Sequence, residues 1–334
     1  MFTGNNLRNI IFMRNRRDHN MKIVEAAEAR ERLTPEVCIS LMREAFIALE
    51  KGQADQPMRS IVKLPDGESF GFMPAYLGPE DCFGAKVITA FHKNIGTGYP
   101  SHMGYVMLFE SRHGSFVGMA DGSVITEVRT GAVSAVATDL LSRKDSEKLA
   151  IIGAGAQGRS HLAAIRCIRP IKSVTVYDLS KEASVRYAEE MTAKYDIPVT
   201  VCDSAEACVR GADIICTVTP SKDPYLKKEW ISPGTHINAV GTFTPTTREI
   251  TSELMAVSRL YSDYTPSLLK ESGEYLIPLR EGLISSDHVV GSVGEVLLGK
   301  APARGSDEEI TLFDALGLAV EDVICARFLC SDQK

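Results

Sequence analysis

Hydrophobic positions first recur with a helical period at Val37, Leu41, Ala45 and Leu49, about one per turn. Thr34-Pro35-Glu36 opens that run with a capping hydroxyl, a first-turn proline and an acid at the positive end of the dipole, and Gly52 closes it. From Ser60 to Ala120 the pattern changes to short β-rich runs between turn residues: Ser60–Leu64, Ser69–Met73, Gly84–Ala90, Gly104–Phe109 and Ser115–Met119. Such runs predict a largely antiparallel or mixed sheet. Thr130–Leu141 reads as an Ala-rich helix, and the polar break Ser142–Glu147 marks a domain boundary. Beyond it, strands near 149–152, 173–177, 198–201, 214–217, 236–240 and 260–262 alternate with helical stretches. That is the βαβ pattern of a parallel sheet. A last helical run, Leu312 to Leu329, carries an apolar face and is expected to pack back on the first domain.

The densest signal lies at 149–178. Leu149-Ala150-Ile151-Ile152 feeds into Gly153-Ala154-Gly155-Ala156-Gln157-Gly158; a helix-like segment follows, and Ser173–Asp178 is a β-rich run ending in an acid. Strand, glycine turn, helix, strand and terminal acid, in that order, form the dinucleotide-binding pattern; the alternative is a glycine turn that only packs. Gly153 permits the tight turn, Gly155 lets the backbone approach a pyrophosphate, and Gly158 lets helix and strand pack closely. The first-turn amides, at Ala156 and Gln157, face the anion. Asp178 stands where a carboxylate accepts the ribose hydroxyls, so NAD(H) is expected; NADP(H), whose 2′-phosphate meets like charge there, is disfavoured. Thr217-Val218-Thr219 and Val240-Gly241 sit at strand carboxyl ends, the edge where open α/β sheets bind ligands, and join the candidate cofactor set.

A chain of 334 residues is comfortable for two domains. The expected division is an α+β substrate and dimerisation domain at 21–144, completed by 312–334, and an α/β Rossmann domain at 145–311. A net charge of −6 argues against nucleic acid and anionic membranes as partners, and no apolar run approaches the roughly 20 residues of a membrane span. The eight cysteines are scattered without CxxC or zinc spacing, so no metal is expected; they read as buried small hydrophobes in a reducing, cytoplasmic setting. Residues 1–20 surround a short apolar patch with arginines and read as a disordered extension, or as sequence ahead of a true start at Met21.

Gly84-Ala85-Lys86, Asn94, Pro100-Ser101-His102, Leu108-Phe109, Arg129-Thr130-Gly131-Ala132 and the glycine loop occur in one order. Together they resemble the ornithine cyclodeaminase/μ-crystallin family over residues 25–325. The resemblance implies a homodimer that uses nicotinamide on small α-amino or α-imino acids. Its carboxylate-binding basic set falls on Arg59, Lys86 and Arg129, which are also the expected catalytic residues. Elementary chemistry agrees, because a guanidinium grips a carboxylate through paired hydrogen bonds and a lysine adds a charge that can move a proton. Bland alternatives stand beside each: a solvated edge arginine at 59, an ion pair at its own helix start for Arg129, and a helix cap for Thr130, otherwise a cofactor-phosphate contact. A lysine inside an apolar strand, as at 86, is costly without a partner. His161 reads as a packing or surface residue, His102 matches a position common in the family without a catalytic role, and His92, close to the Lys86 strand, is a candidate to line the pocket.

Two positions depart from the cyclodeaminases. Phe243 falls where their acidic residue stands, and Gly71 or Phe72 falls where they carry a glutamate. A free side-chain ammonium would lack a counter-charge, unless Glu68 or Asp66 supplies one. Thr242 and Thr244 can hydrogen-bond an imine nitrogen, and Phe243 can stack on a ring. The expected substrate is therefore a small carboxylate with no second charge, a cyclic ketimine or small amino acid. An NAD(H)-dependent oxidoreductase follows, with a redox-neutral lyase and a non-catalytic binding protein as the alternatives.

Overall fold

The computed structural model describes residues 21–331 apart from 80, 95, 96 and 101, so the expectation for residues 1–20 lies outside the described residues. The first lobe holds β1 (Lys22–Val24), α1 (Ala26–Arg32), α2 (Pro35–Glu50), β2 (Ser60–Lys63), β3 (Ser69–Tyr76), β4 (Cys82–Ala90), β5 (His102–Glu110), β6 (Phe116–Asp121) and α3 (Gly122–Leu141). Its six strands are ordered β1-β6-β5-β4-β3-β2, all antiparallel except β1 against β6. Thr34 caps α2 as its sequence predicts, accepting from the Val37 amide at 3.4 Å, and Ile39, Met42, Ala45, Phe46 and Leu49 point into the core.

α3 begins at Gly122 rather than near Thr130. Asp121 caps it, accepting from the Val124 amide at 2.8 Å. Val124, Ile125, Thr126 and Val128 fill its first turns, and β-branched side chains of this kind are as much at home in a strand. Tertiary burial overrides that preference. The helix packs against α2, β5 and the second lobe, so it is apolar nearly all round.

The second lobe contains β7 (Lys148–Ile152), α4 (Ala156–Ile165), β8 (Ser173–Tyr177), α5 (Lys181–Tyr195), β9 (Val199–Val201), α6 (Ala205–Val209), β10 (Ile214–Thr217) and β11 (His236–Ala239). There follow α7 (Ser252–Val257), β12 (Arg259–Ser262), α8 (Thr265–Glu271), α9 (Gly273–Arg280), β13 (Val289–Ser292), α10 (Val293–Leu297), β14 (Thr311–Asp314) and α11 (Ala319–Cys330). Its eight strands are all parallel, in the order β13-β12-β14-β11-β10-β7-β8-β9. This is the Rossmann-type α/β layer, with one apolar core on each face of the sheet.

The helical run expected from Leu312 is divided. Thr311–Asp314 is a strand between β11 and β12, and the helix starts only at Ala319. A strand buried on both faces loses its alternation and cannot be told from a buried helix by period. Gly317, at φ +80°, makes the turn between them. α11 then lies across the first sheet, touching β3, β4, β5 and β6, and seals the core shared with α2 and α3.

Candidate active site

Parallel strands end together, so β7, β8, β10 and β11 bring their following loops to one edge of the second sheet. Gly153 leaves β7 at φ +110°, and a β-carbon there would lie 2.7 Å from the Val218 carbonyl oxygen. A β-carbon on Gly158 would lie 2.3 Å from the Gly153 oxygen, so close helix–strand packing excludes side chains at both. Gly155 differs, because nothing lies within 4 Å of where its side chain would project. That open side is where an anion can reach the first-turn amides of α4. Asp178 ends β8 and accepts from the Ala154 amide at 2.8 Å and the Ser180 amide at 2.9 Å. With Ala154, Gly155, Arg159 and Arg186 it lines a cleft of about 350 Å³.

Across the same edge the loops after β10 and β11 are tied to one acid that the sequence reading did not single out. Glu249 accepts from the Thr219 amide (2.9 Å), the Thr219 hydroxyl (2.6 Å) and the Tyr225 hydroxyl (2.8 Å), and its other oxygen accepts from the Gly241 amide at 2.9 Å. Thr217 is buried at the end of β10, and the Val218 and Val240 amides, which follow their strands, donate to the Ile152 and Thr217 carbonyls. Thr242 donates to Glu274 at 3.4 Å, Thr244 shares a 2.7 Å bond with Thr247, and Phe243 between them is half-exposed.

The basic residues converge from three elements. Lys86 points inward from β4, its Nζ 2.7 Å from Asp322 Oδ2 and donating to the Thr126 hydroxyl at 3.3 Å. Arg129, on α3, donates from Nη1 to Glu321 at 2.9 Å and from Nε to Asp322 at 3.2 Å. It pairs with α11, not with its own helix start. Arg59, just before β2, donates from Nη2 to the Leu316 (3.0 Å) and Gly317 (3.1 Å) carbonyls. Its Nε lies 3.3 Å from Glu271, and its guanidinium sits 5.8 Å from the Phe243 ring centre. The three side chains are 13%, 3% and 7% exposed for Arg59, Lys86 and Arg129. They are interior groups. Arg59 also lines a narrow channel with Gln56, Met73, Glu271, Gly317 and Ala319.

Burial dominates the electrostatics. It lowers the Lys86 pKa despite the opposing pull of Asp322. For Arg129 the burial penalty is outweighed by Asp322 and Glu321, and the net shift is upward. Burial pushes Glu321 up to about 8, Asp314 up to about 8 and Asp263 up to about 6, although Asp263 accepts three backbone amides. Glu249 and Glu274 are raised too, again by burial first.

Three remaining candidates have partners within the chain. Thr130 lies inside α3, not at its start, and its hydroxyl donates to the Thr126 carbonyl at 2.8 Å, which removes the capping reading. Gln157 donates to the same carbonyl at 3.4 Å. His161 is buried between the Gln157 carbonyl (2.7 Å) and the Ser134 hydroxyl (2.9 Å). The His92 side chain lies outside the described residues. Asp322, Glu321, Glu249 and Glu271 were missed, yet Glu321-Asp322 in a helix otherwise apolar but for Arg327 was a usable signal, since buried acids need partners.

Residues 17–333 match the ornithine cyclodeaminase/mu-crystallin family. Ketimine reductase mu-crystallin of Mus musculus is 39% identical over 279 residues, covering 83% of this chain and 85% of its own. Delta(1)-pyrroline-2-carboxylate reductase of Bacillus cereus is 31% identical over 314 residues, covering 92% and 95%. The solved structure of Thermococcus litoralis Delta(1)-pyrroline-2-carboxylate reductase, in complex with NADH and L-proline, superimposes with a TM-score of 0.90 at 34% identity, covering 93% and 96%. An archaeal alanine dehydrogenase dimer with bound NAD gives a TM-score of 0.87 at 29% identity, covering 93% and 95%. With its glycine loop, its acid at the end of β8 and its buried basic trio, the chain belongs to the ornithine cyclodeaminase/mu-crystallin family.

Proposed function

We propose that this protein is an NAD(H)-dependent reductase of a small cyclic imino acid, of the ketimine reductase type. The observation that carries the reading is the linkage of three buried cations: Lys86 and Arg129 meet at Asp322, and Arg129 and Arg59 meet at Gly317 in the turn that follows β14. The open side of Gly155, the first-turn amides of α4 and the Asp178 carboxylate fit a nicotinamide dinucleotide. When bound, that cofactor supplies the hydride.

Arg59 and Arg129 hold the substrate carboxylate, which fixes the ring against the cofactor edge. The imine carbon gains the hydride and the imine nitrogen gains a proton from Lys86 or a bound water. Phe243, with Thr242 and Thr244 beside it, covers the ring face and offers no acid for a second ammonium group. Asp178 favours NAD(H) over NADP(H). Relatives that reduce ketimines and pyrroline-2-carboxylate, and a neighbour that holds NADH with L-proline, support this substrate class.

A homodimer is part of the same proposal. Val62, Phe72, Tyr76 and Met103 are exposed on the face of the first sheet turned away from α11, and the alanine dehydrogenase neighbour is a dimer. The eight free thiols support a reducing, cytoplasmic setting, and no helix among the described residues is long and apolar enough to cross a membrane. Absorbance at 340 nm tests the function, with NADH and pyrroline-2-carboxylate in one arm and NAD⁺ with ornithine, alanine or hydroxyproline in the other. Net NADH consumption is the expected result. Ammonia or keto acid formed without net cofactor change would point to a lyase, and binding without turnover to a carrier.

A further inference from the structure

Lys86 and Arg129 come from different elements, yet one carboxylate meets both. Asp322, fully buried in the first turn of α11, has Oδ2 2.7 Å from Lys86 Nζ and Oδ1 accepting from Arg129 Nε at 3.2 Å. Its neighbour Glu321 has a second occupation, because it accepts from the Leu318 amide at the start of its own helix at 3.1 Å. Among the described contacts Asp322 makes no bond within α11. Both its oxygens are directed at the cations, although burying a carboxylate there is costly.

The consequence for Arg129 is directional. With Nε on Asp322 and Nη1 on Glu321, the guanidinium plane is fixed and its Nη1/Nη2 end faces Gly317; a β-carbon on that glycine would lie 2.8 Å from Nη1 and 2.9 Å from Nη2. Gly317 is also where Arg59 donates. That end of one arginine, with Nη2 unpartnered among the described contacts, therefore faces the glycine whose carbonyl the other holds.

We propose that Asp322 is a positioning residue for imine reduction: it aims the Arg129 fork toward Arg59 to make the carboxylate clamp and holds the Lys86 ammonium beside it as the proton donor. This rests on the reductase reading above. It adds a residue that does not touch substrate and acts through the two that do. The charged groups facing Lys86 are Asp322 and Glu321 from α11 and Arg129 from α3, and Asp322 is the largest influence that opposes burial.

The test uses the full chain and the variants D322N, D322E and E321Q, with melting temperature and NADH fluorescence titration as controls. In D322N an amide replaces the acid, so one cation loses its acceptor. Its kcat/KM for pyrroline-2-carboxylate is expected to fall at least 30-fold, and the basic limb of its kcat–pH profile to move toward acid by a unit or more, with the NADH Kd unchanged. E321Q keeps that limb within half a unit of wild type. D322E keeps the charge but displaces it, so its limb stays in place while kcat/KM falls at least tenfold; it also serves if D322N does not fold. A folded, NADH-binding D322N with the wild-type limb and kcat/KM within threefold overturns the proposal, as does a fully active D322E. If wild type binds the flat analogue pyrrole-2-carboxylate but never oxidises NADH, the reductase reading fails on its own. The positioning role is then read from the analogue's Kd, which rises at least tenfold in D322N if the role is real and stays unchanged if it is not.

Discussion

Gly317 leaves no room for a methyl group beside Arg129: a β-carbon built on it would lie 2.8 Å from Nη1. Its φ of +80° adds a second penalty for any other residue. Gly317→Ala is therefore expected to cost about 1 kcal/mol or more in stability, read by urea denaturation. Because the intruding methyl pushes Arg129 away, kcat/KM for a carboxylate substrate should drop at least tenfold while NADH binding stays. Wild-type kcat/KM in this variant would show that Arg129 has slack the geometry denies.

Gly155 gives the opposite case within the cofactor loop. Its φ of −84° is ordinary for any residue, and a side chain would enter open space. Gly155→Val should melt within about 2 °C of wild type, a shift of well under 1 kcal/mol. It should bind NADH at least 100-fold more weakly in a fluorescence titration. An unchanged NADH Kd would place the pyrophosphate elsewhere.

Asp178→Ala removes the acceptor for the Ala154 and Ser180 amides as well as any ribose contact. Both cofactors should lose some affinity from the loosened loop. NADH should lose about tenfold more than NADPH, because the repulsion of the 2′-phosphate goes too. Equal losses in paired titrations would remove the basis for assigning NAD(H).

Burial holds the His161 pKa down from 6.5 to about 4. The Gln157 carbonyl can only accept, so Nδ1 carries the proton and Ser134 donates to Nε2. The folded pKa lies below the unfolded one, so the unfolded chain takes up a proton first as pH falls. Stability is therefore intact above pH 6.5 and declines toward pH 4 by at most about 1.4 kcal/mol per unit. His236, held down to about 3 by burial, acts in the same direction. His161→Gln should flatten the slope of denaturation free energy against pH between 6.5 and 4; an unaltered slope would assign the acid sensitivity to other groups.

Much of this was legible before any coordinates. The glycine loop and Asp178 could be read because they form a local device: spacing alone sets turn, helix start and terminal acid within thirty residues. Lys86 could be read because an apolar strand advertises any charge it carries. What stayed hidden is non-local. Asp322 meets Lys86 across 236 positions of chain (322 − 86), and no period or motif spans that distance. β14 stayed hidden because burial on both faces erases the alternation that identifies a strand. The first turns of α3 did so because their β-branched residues are placed by packing and not by propensity.

The counter-charges for Lys86 and Arg129 sit on a helix built from residues 319–330. During synthesis Arg129 leaves the ribosome 190 residues ahead of that helix (319 − 129) and Lys86 233 residues ahead of it (319 − 86). Until α11 is made, the face of the first lobe that carries both cations lacks its cover and its counter-charges. The pocket is therefore incomplete until translation reaches α11, and competence arrives last.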